Sequence, residues 1–193
     1  MKDNNFLSLD LEMNQPSGKI IQVGVCVASL STIDAPIKKM WYIDPQEEIT
    51  DFITNLTGIT NQDIKNHAVS HDVVAKEIVE LMETHKCFIN PVTWGGGDSQ
   101  TLIDEIRERG IEFNTFGRRW IDVKTIHIFL EMCKGKTVKG GLRSAMGARK
   151  MTFIGEAHRA DVDAHNTLRF FFHMIKNQST LMNTINAIPN MQL

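Results

Sequence analysis

Five residues in three short runs have the types and the order to do chemistry together: Asp10 and Glu12 in LDLEMN, Asp98 at the end of TWGGGD, and His158 with Asp163 in HRADVDAHNT. They supply four carboxylates and one imidazole. Carboxylate oxygens ligate hard divalent cations. A pair of such cations beside a general base can hydrolyse a phosphodiester.

Each run also has a plainer explanation. Asp10 and Glu12 are two apart on an alternating segment, so their side chains leave one face of a strand. They could be the polar outer face of that strand. They could also share a cation, with Asp10 bridging to a second, since adjacent carboxylates in so apolar a neighbourhood repel one another unless a cation sits between them. Asp98 follows three glycines and opens a helical pattern, where aspartate is a favoured N-cap. The glycines would let the backbone approach something closely, and no lysine follows at the spacing of a Walker-type phosphate loop. Asp163 lies beside the apolar stripe of its helix, with Thr167 four residues on. His158 precedes the helix and could swing over the same pocket. Asp161 competes with Asp163 as a ligand but fits better as the cap of that helix. His165 and His173 fall with Arg169 and Lys176 on the outer, solvent-exposed side.

The elements that must position these residues follow from periodicity. Asn5 to Glu12 alternates Leu7, Leu9 and Leu11 against Ser8, Asp10 and Glu12, a strand. Lys19 to Ser29 is a second strand after the Pro16-Ser17-Gly18 turn, and Lys38 to Ile43 a third that ends before Pro45. The three read as an antiparallel meander. Ser70 to Thr84 is helical, with Val73, Val74, Ile78, Leu81 and Met82 apolar. Pro91 to Trp94 is a short strand with proline at its tolerated first position. Asp98 to Arg109 is a helix closed by Gly110. A short strand over Arg119 to Ile121 leads into a helix near Asp122 to Met132, and Gly141 to Gly147 is a short helix. Asp161 to Lys176 is a strong helix, its stripe made by Ala164, Leu168, Phe171, Phe172 and Ile175. A separate last helix runs near Ser179 to Ala187. A meander followed by strand–helix alternation is a mixed α/β layout.

The chain has 193 residues, 42% hydrophobic and 23% charged, which fits one globular domain over 1–193 with a substantial core. Its apolar runs are too short to span a bilayer, and the N-terminus is not a secretory signal. Three scattered cysteines without CxxC spacing argue for a reducing, cytoplasmic setting and against disulfides or a zinc knuckle. Net charge is −2, but it is unevenly spread. Asp44 to Glu112 holds 14 acidic against 5 basic residues, and Arg118 to Arg159 holds 10 basic against 3 acidic. A chain so polarised could turn a basic face to a polyanion, or both segments could be ordinary solvated surface.

The order Asp-x-Glu, then Asp, then His-x4-Asp resembles the DEDDh 3′–5′ exonucleases, and the resemblance covers nearly the whole chain. LDLEMN resembles their first motif, in a form similar to oligoribonucleases. TWGGGD resembles the second motif in the tryptophan-bearing form of RNA-trimming and sporulation-regulator-like members, and HRADVDAHNT the third. NLTGIT and GGLRSAMG are similar to the segments that follow the third strand and precede the third motif. Met13 and Asn14 stand where many members carry threonine. The resemblance implies an RNase H-like mixed sheet flanked by helices, with its first three strands antiparallel. It implies two divalent ions, Mg²⁺ or Mn²⁺, held by Asp10, Glu12 and Asp163 with Asp98 acting through water, and His158 as base. Met13 and Asn14 would meet the 3′-terminal nucleotide, and Lys136, Lys139, Arg143 and Arg159 the phosphates. The implied partner is the 3′ end of a single-stranded RNA or DNA. The competing reading is a catalytically silent nucleic-acid-binding or regulatory module on the same fold.

Overall fold

The computed structural model describes residues 3–138 and 140–186, with side-chain surroundings through 178. A six-stranded sheet is formed by β1 (Phe6–Met13), β2 (Ile20–Ala28), β3 (Ile37–Ile43), β4 (Ala68–Val69), β5 (Val92–Thr93) and β6 (Ile121–Asp122). Its order is β4-β3-β2-β1-β5-β6. The first three strands pair antiparallel, as the meander requires, while β4, β5 and β6 join in parallel. Seven helices complete the described residues: α1 (Asp51–Thr57), α2 (Asn61–His67), α3 (His71–Thr84), α4 (Asp98–Glu108), α5 (Val123–Met132), α6 (Leu142–Ala148) and α7 (Ala160–Asn186).

The alternation in β1 and β2 divides the core in two. Leu7, Leu9 and Leu11 face the same way as Val23 and Val25, and pack against α3 and α4 through Val74, Ile78, Leu102 and Ile106. Each such fully buried aliphatic side chain contributes about 1.5–3 kcal/mol. Cys26 and Ala28 face the other way and meet Ala164, Leu168, Phe171 and Phe172 of α7. With both faces covered, every residue of β2 is buried.

Asp10 and Glu12 leave β1 on the α7 side, opposite Gly24 and Gln22 of β2. A β-bulge follows Glu12, the kind of irregularity that re-aims a strand beside a functional site. Two features of β2 seat α7. A Cβ on Gly24 would fall 2.0 Å from the carbonyl carbon of Ala160 and 2.1 Å from the nitrogen of Asp161, so the helix backbone rests directly on this glycine. Beside it, the Ala160 backbone N–H donates to Gln22 Oε1 at 2.8 Å.

The helices differ from the sequence reading in four places. Asp161 is not the cap of α7. It is buried in the first turn, its carboxylate held by Arg159 Nε at 2.7 Å and Lys38 Nζ at 3.5 Å. Nor does Asp98 cap α4, whose N-cap is Gly97 without a side-chain hydrogen bond. The segment after β3 holds two helices, capped by Thr50 and by a Thr60–Asp63 capping box, around a small core of Ile21, Ile49, Ile53, Ile59 and Ile64. The final helix is one continuous element through Asn186 with no break near Ser179, and Ala187 lies outside the described residues. His165 is not on a solvent-exposed side: it is 8% exposed, its Nε2 3.3 Å from the Ile33 carbonyl oxygen. His173 is half-buried and bonded to Asn177. The loops carrying Ile33 and Thr152 cover the side of α7 that a stripe pattern leaves to water.

Candidate active site

The end of β1, the start of α7 and the start of α6 enclose a cleft of about 840 Å³, within the size range of ligand sites. Asp10, Glu12, His158 and Asp163 line it together with Leu11, Trp94, Leu142, Arg143, Ser144 and Phe153. Ligand atoms of Glu12, His158 and Asp163 all lie within 4.8 Å of one another. His158 adopts a left-handed backbone conformation at φ 63, a strained state for a residue with a Cβ. That turn lets its backbone N–H donate to Asp163 Oδ2 at 2.8 Å, so the histidine and the carboxylate are fixed to each other.

The carboxylates are held against their own electrostatics. Asp10 is pushed well above the usual carboxylate range by burial, then by the charges of Asp98, Asp163 and Glu12. Glu12 is pushed up to about 7 by burial and by Asp163 and Asp98. Burial raises Asp98 to about 6 and also raises Asp163. Asp98 does not line the cleft, but its charge is felt at both Asp10 and Glu12, which places it in the same cluster. Mutually repelling, partly desolvated carboxylates with an imidazole beside them make an oxygen-rich donor set that fits a hard divalent cation.

Asp98 is free for this because neighbours do the structural work around it. Asp122 caps α5 by accepting from Thr125 N–H, and the same carboxylate oxygen accepts from Gly95 N–H at 3.1 Å. Gly95 sits at φ 104, a conformation that favours glycine. Thr93 Oγ1 donates to the Gly95 carbonyl at 2.6 Å, closing the loop before α4.

The residues expected at the substrate divide. Arg143 lines the cleft, its guanidinium 5.4 Å over the Phe153 ring, and its charge draws Asp163 downward. Asn14 is elsewhere: it is buried, both amide protons are bonded to Glu47 Oε1 and the Glu48 carbonyl, and its oxygen accepts from Thr50 N–H. It fastens the chain before α1 to the end of β1. Met13 packs against the β1–α3–α4 core rather than lining the cleft. Arg159 is bonded to Asp161, and Lys136 is exposed outside the cleft lining. Lys139 lies outside the described residues. Trp94, Leu142, Ser144 and Phe153 were not singled out in sequence. The quoted runs TWGGGD and GGLRSAMG contained the first three, but only the fold shows that they converge.

The RNase T exonuclease family model matches residues 7–171. The 3′-5′ exonuclease DinG of Bacillus subtilis (strain 168) is 34% identical over 87 residues, which is 43% of this chain and 9% of that protein. Among solved structures, the nuclease domain of 3′hExo, a DEDDh family member bound to rAMP, superposes with a TM-score of 0.75 at 17% identity, covering 91% of this chain and 94% of that one. Exonuclease I superposes with a TM-score of 0.71 at 15% identity, covering 94% of this chain and 43% of that one. The match runs from β1 into α7 and so takes in all three runs that build the cleft, and the chain belongs to the RNase T exonuclease family.

Proposed function

We propose that this protein removes nucleotides from the 3′ end of single-stranded nucleic acid by hydrolysis that depends on divalent metal ions. The observation that carries the reading is the convergence of Asp10, Glu12, His158 and Asp163 on one cleft, with Asp98 coupled to the first two. Asp10, Glu12, Asp98 and Asp163 would hold two ions, for which Mg²⁺ or Mn²⁺ suits an all-oxygen ligand set. When bound, such ions make a water more acidic and offset charge developing on the phosphate.

The chain's own groups do the rest. His158, at the mouth of the cleft, takes the proton from the attacking water. Its bond from the backbone N–H to Asp163 keeps the imidazole in register with the carboxylates. Arg143 meets a phosphate of the bound strand. The three apolar side chains Leu142, Trp94 and Phe153 shed water from the wall facing the carboxylates.

The test is a 5′-labelled single strand, as RNA and as DNA, incubated with Mn²⁺ or Mg²⁺. A descending ladder that EDTA abolishes, and that Asp10→Ala removes, is expected. His158→Ala should lose roughly 10²–10⁴-fold in turnover while still binding metal. One internal cut, or no cleavage by the wild type, would overturn the reading.

A further inference from the structure

The residues expected at the 3′-terminal nucleotide do not line the cleft. Met13 packs into the β1–α3–α4 core, and Asn14 is bonded to Glu47, Glu48 and Thr50. What the cleft presents beside its carboxylates is an apolar wall of Leu11, Trp94, Leu142 and Phe153. Two of these side chains are aromatic, and they are not equivalent. The guanidinium of Arg143, itself in the lining, lies 5.4 Å from the centre of the Phe153 ring and covers one of its faces. The ring partners of Trp94 among the described residues are His127, at 6.2 Å and tilted by 35°, and Phe170, at 5.8 Å with its plane turned by 70°. Neither of them lines the cleft, and they are 2% and 0% exposed, whereas Trp94 is half-buried. The indole is therefore backed from the interior and open toward the cleft.

The backing is well fixed. His127 and Phe170 touch each other, with centroids 5.2 Å apart. Arg149, the C-cap of α6, stands 5.7 Å over the Phe170 ring and is bonded to Glu131 of α5 at 2.8 Å. Three helices thus meet behind one indole. His127 acts there by its ring: its Nδ1 is buried and makes no hydrogen bond among the described residues, so packing is what it supplies.

We propose that Trp94 is the platform on which the base of the 3′-terminal nucleotide stacks, and that His127 is the positioning residue that holds the indole toward the cleft. The inference rests on the nuclease reading above. Every base has a flat apolar face, so an indole gives affinity for a base without choosing among the four.

The experiment compares two ends on oligo(U) and oligo(dT) strands in Mn²⁺: a normal 3′-terminal nucleotide and an abasic tetrahydrofuran residue, both with a free 3′-hydroxyl. The readout is the ratio of kcat/KM for release of the terminal residue. The wild type should favour the base-bearing end about tenfold or more. Trp94→Ala should bring that ratio close to one, and Trp94→Phe should keep part of it. His127→Ala should lower the ratio, chiefly through KM, and His127→Phe, which keeps a ring behind the indole, should restore it. Thermal unfolding of each variant checks that it folds. Binding without turnover gives a second readout on the wild type: UMP or dTMP should quench tryptophan fluorescence in Mg²⁺, the matching sugar 5-phosphate should not, and Trp94→Phe should remove the effect. A wild type that releases both ends equally well, or a ratio unchanged in a folded Trp94→Ala protein, overturns the platform and leaves the nuclease standing. A wild-type ratio in His127→Ala overturns the positioning role. A wild type that trims no strand of either sugar fails at the earlier step, taking both readings with it.

Discussion

Two neighbouring aspartates at helix starts are used in opposite ways. Asp122 immediately precedes α5 and caps it. Asp98 opens α4, makes no cap bond, and is raised to about 6 by burial among other carboxylates. The residue type and the preceding short strand are alike, but Asp122 stands at the N-cap of its helix and Asp98 one residue inside, after the N-cap Gly97. The difference is the glycine loop, which Asp122 itself fastens through Gly95 and which lets α4 begin without help from its first side chain. An aspartate at a helix start is therefore a cap when it is needed there, and a candidate ligand when another group has made the cap unnecessary. Asp161 and Asp163 repeat the lesson on α7, where Gln22 receives the Ala160 N–H and Asp161 is tied down by two cations.

The same substitution at both aspartates gives the sharpest break of this contrast. Asp98→Asn should lower turnover roughly 10²-fold or more, as loss of a charge beside the metal site does, without lowering the unfolding temperature in EDTA. A marked loss of stability would return Asp98 to a structural role. A second test uses the raised carboxylates. A carboxyl whose folded pKa is raised stabilises the protein fully below its ordinary pKa, and that contribution is lost as pH climbs through the raised value. With Asp98 near 6 and Glu12 near 7, the metal-free protein should melt lower at pH 8 than at pH 5 as far as these groups act. The cation competes with protons for the same oxygens, so the rise in melting temperature on adding Mn²⁺ should be small at pH 5 and grow through pH 6–7. Thermal scans across this range, with EDTA or Mn²⁺, would contradict the cluster if the Mn²⁺ effect were independent of pH.

Smaller effects belong to the other aspartate. Asp122→Ala should cost about 1 kcal/mol of stability as a lost cap, with part of any activity loss coming from a loosened Gly95 loop. Asp122→Asn should be close to neutral in denaturant unfolding, because asparagine caps as well as aspartate. If Asp122→Asn instead abolished turnover with its stability intact, the contrast between the two would collapse.

What was legible in the sequence had a period or a motif. The Leu7–Leu9–Leu11 alternation placed Asp10 and Glu12 on one face, and they pair against β2 as that pattern demands. The antiparallel meander, α3, α4 and the first part of α7 followed from apolar spacing in the same way. The rest needed contacts from afar. Asn14 looked like a motif position and is instead bonded to residues 33 to 36 further along. His165 looked solvent-facing because a stripe pattern assumes one covered side, and α7 has more. The two helices after β3 are seven residues each, too short for a strong period, although Thr60 with Asp63 spells a capping box that could have been read. A glycine inside the strand QVGVCV is the usual mark of close backbone approach, and it was the available hint that α7 rests there.

Gly24 makes assembly of the centre an event in time as well as in space. The contact from Gln22 to Ala160 spans 138 positions, so nothing local can bring His158 and Asp163 to β1. As the chain is synthesised, Asp10, Glu12 and Asp98 are laid down before the remaining two groups. Only when residues 158–163 have left the ribosome and the helix backbone has settled onto the bare Cα of Gly24 does the full set exist. Until then the cluster lacks its imidazole and one of its carboxylates.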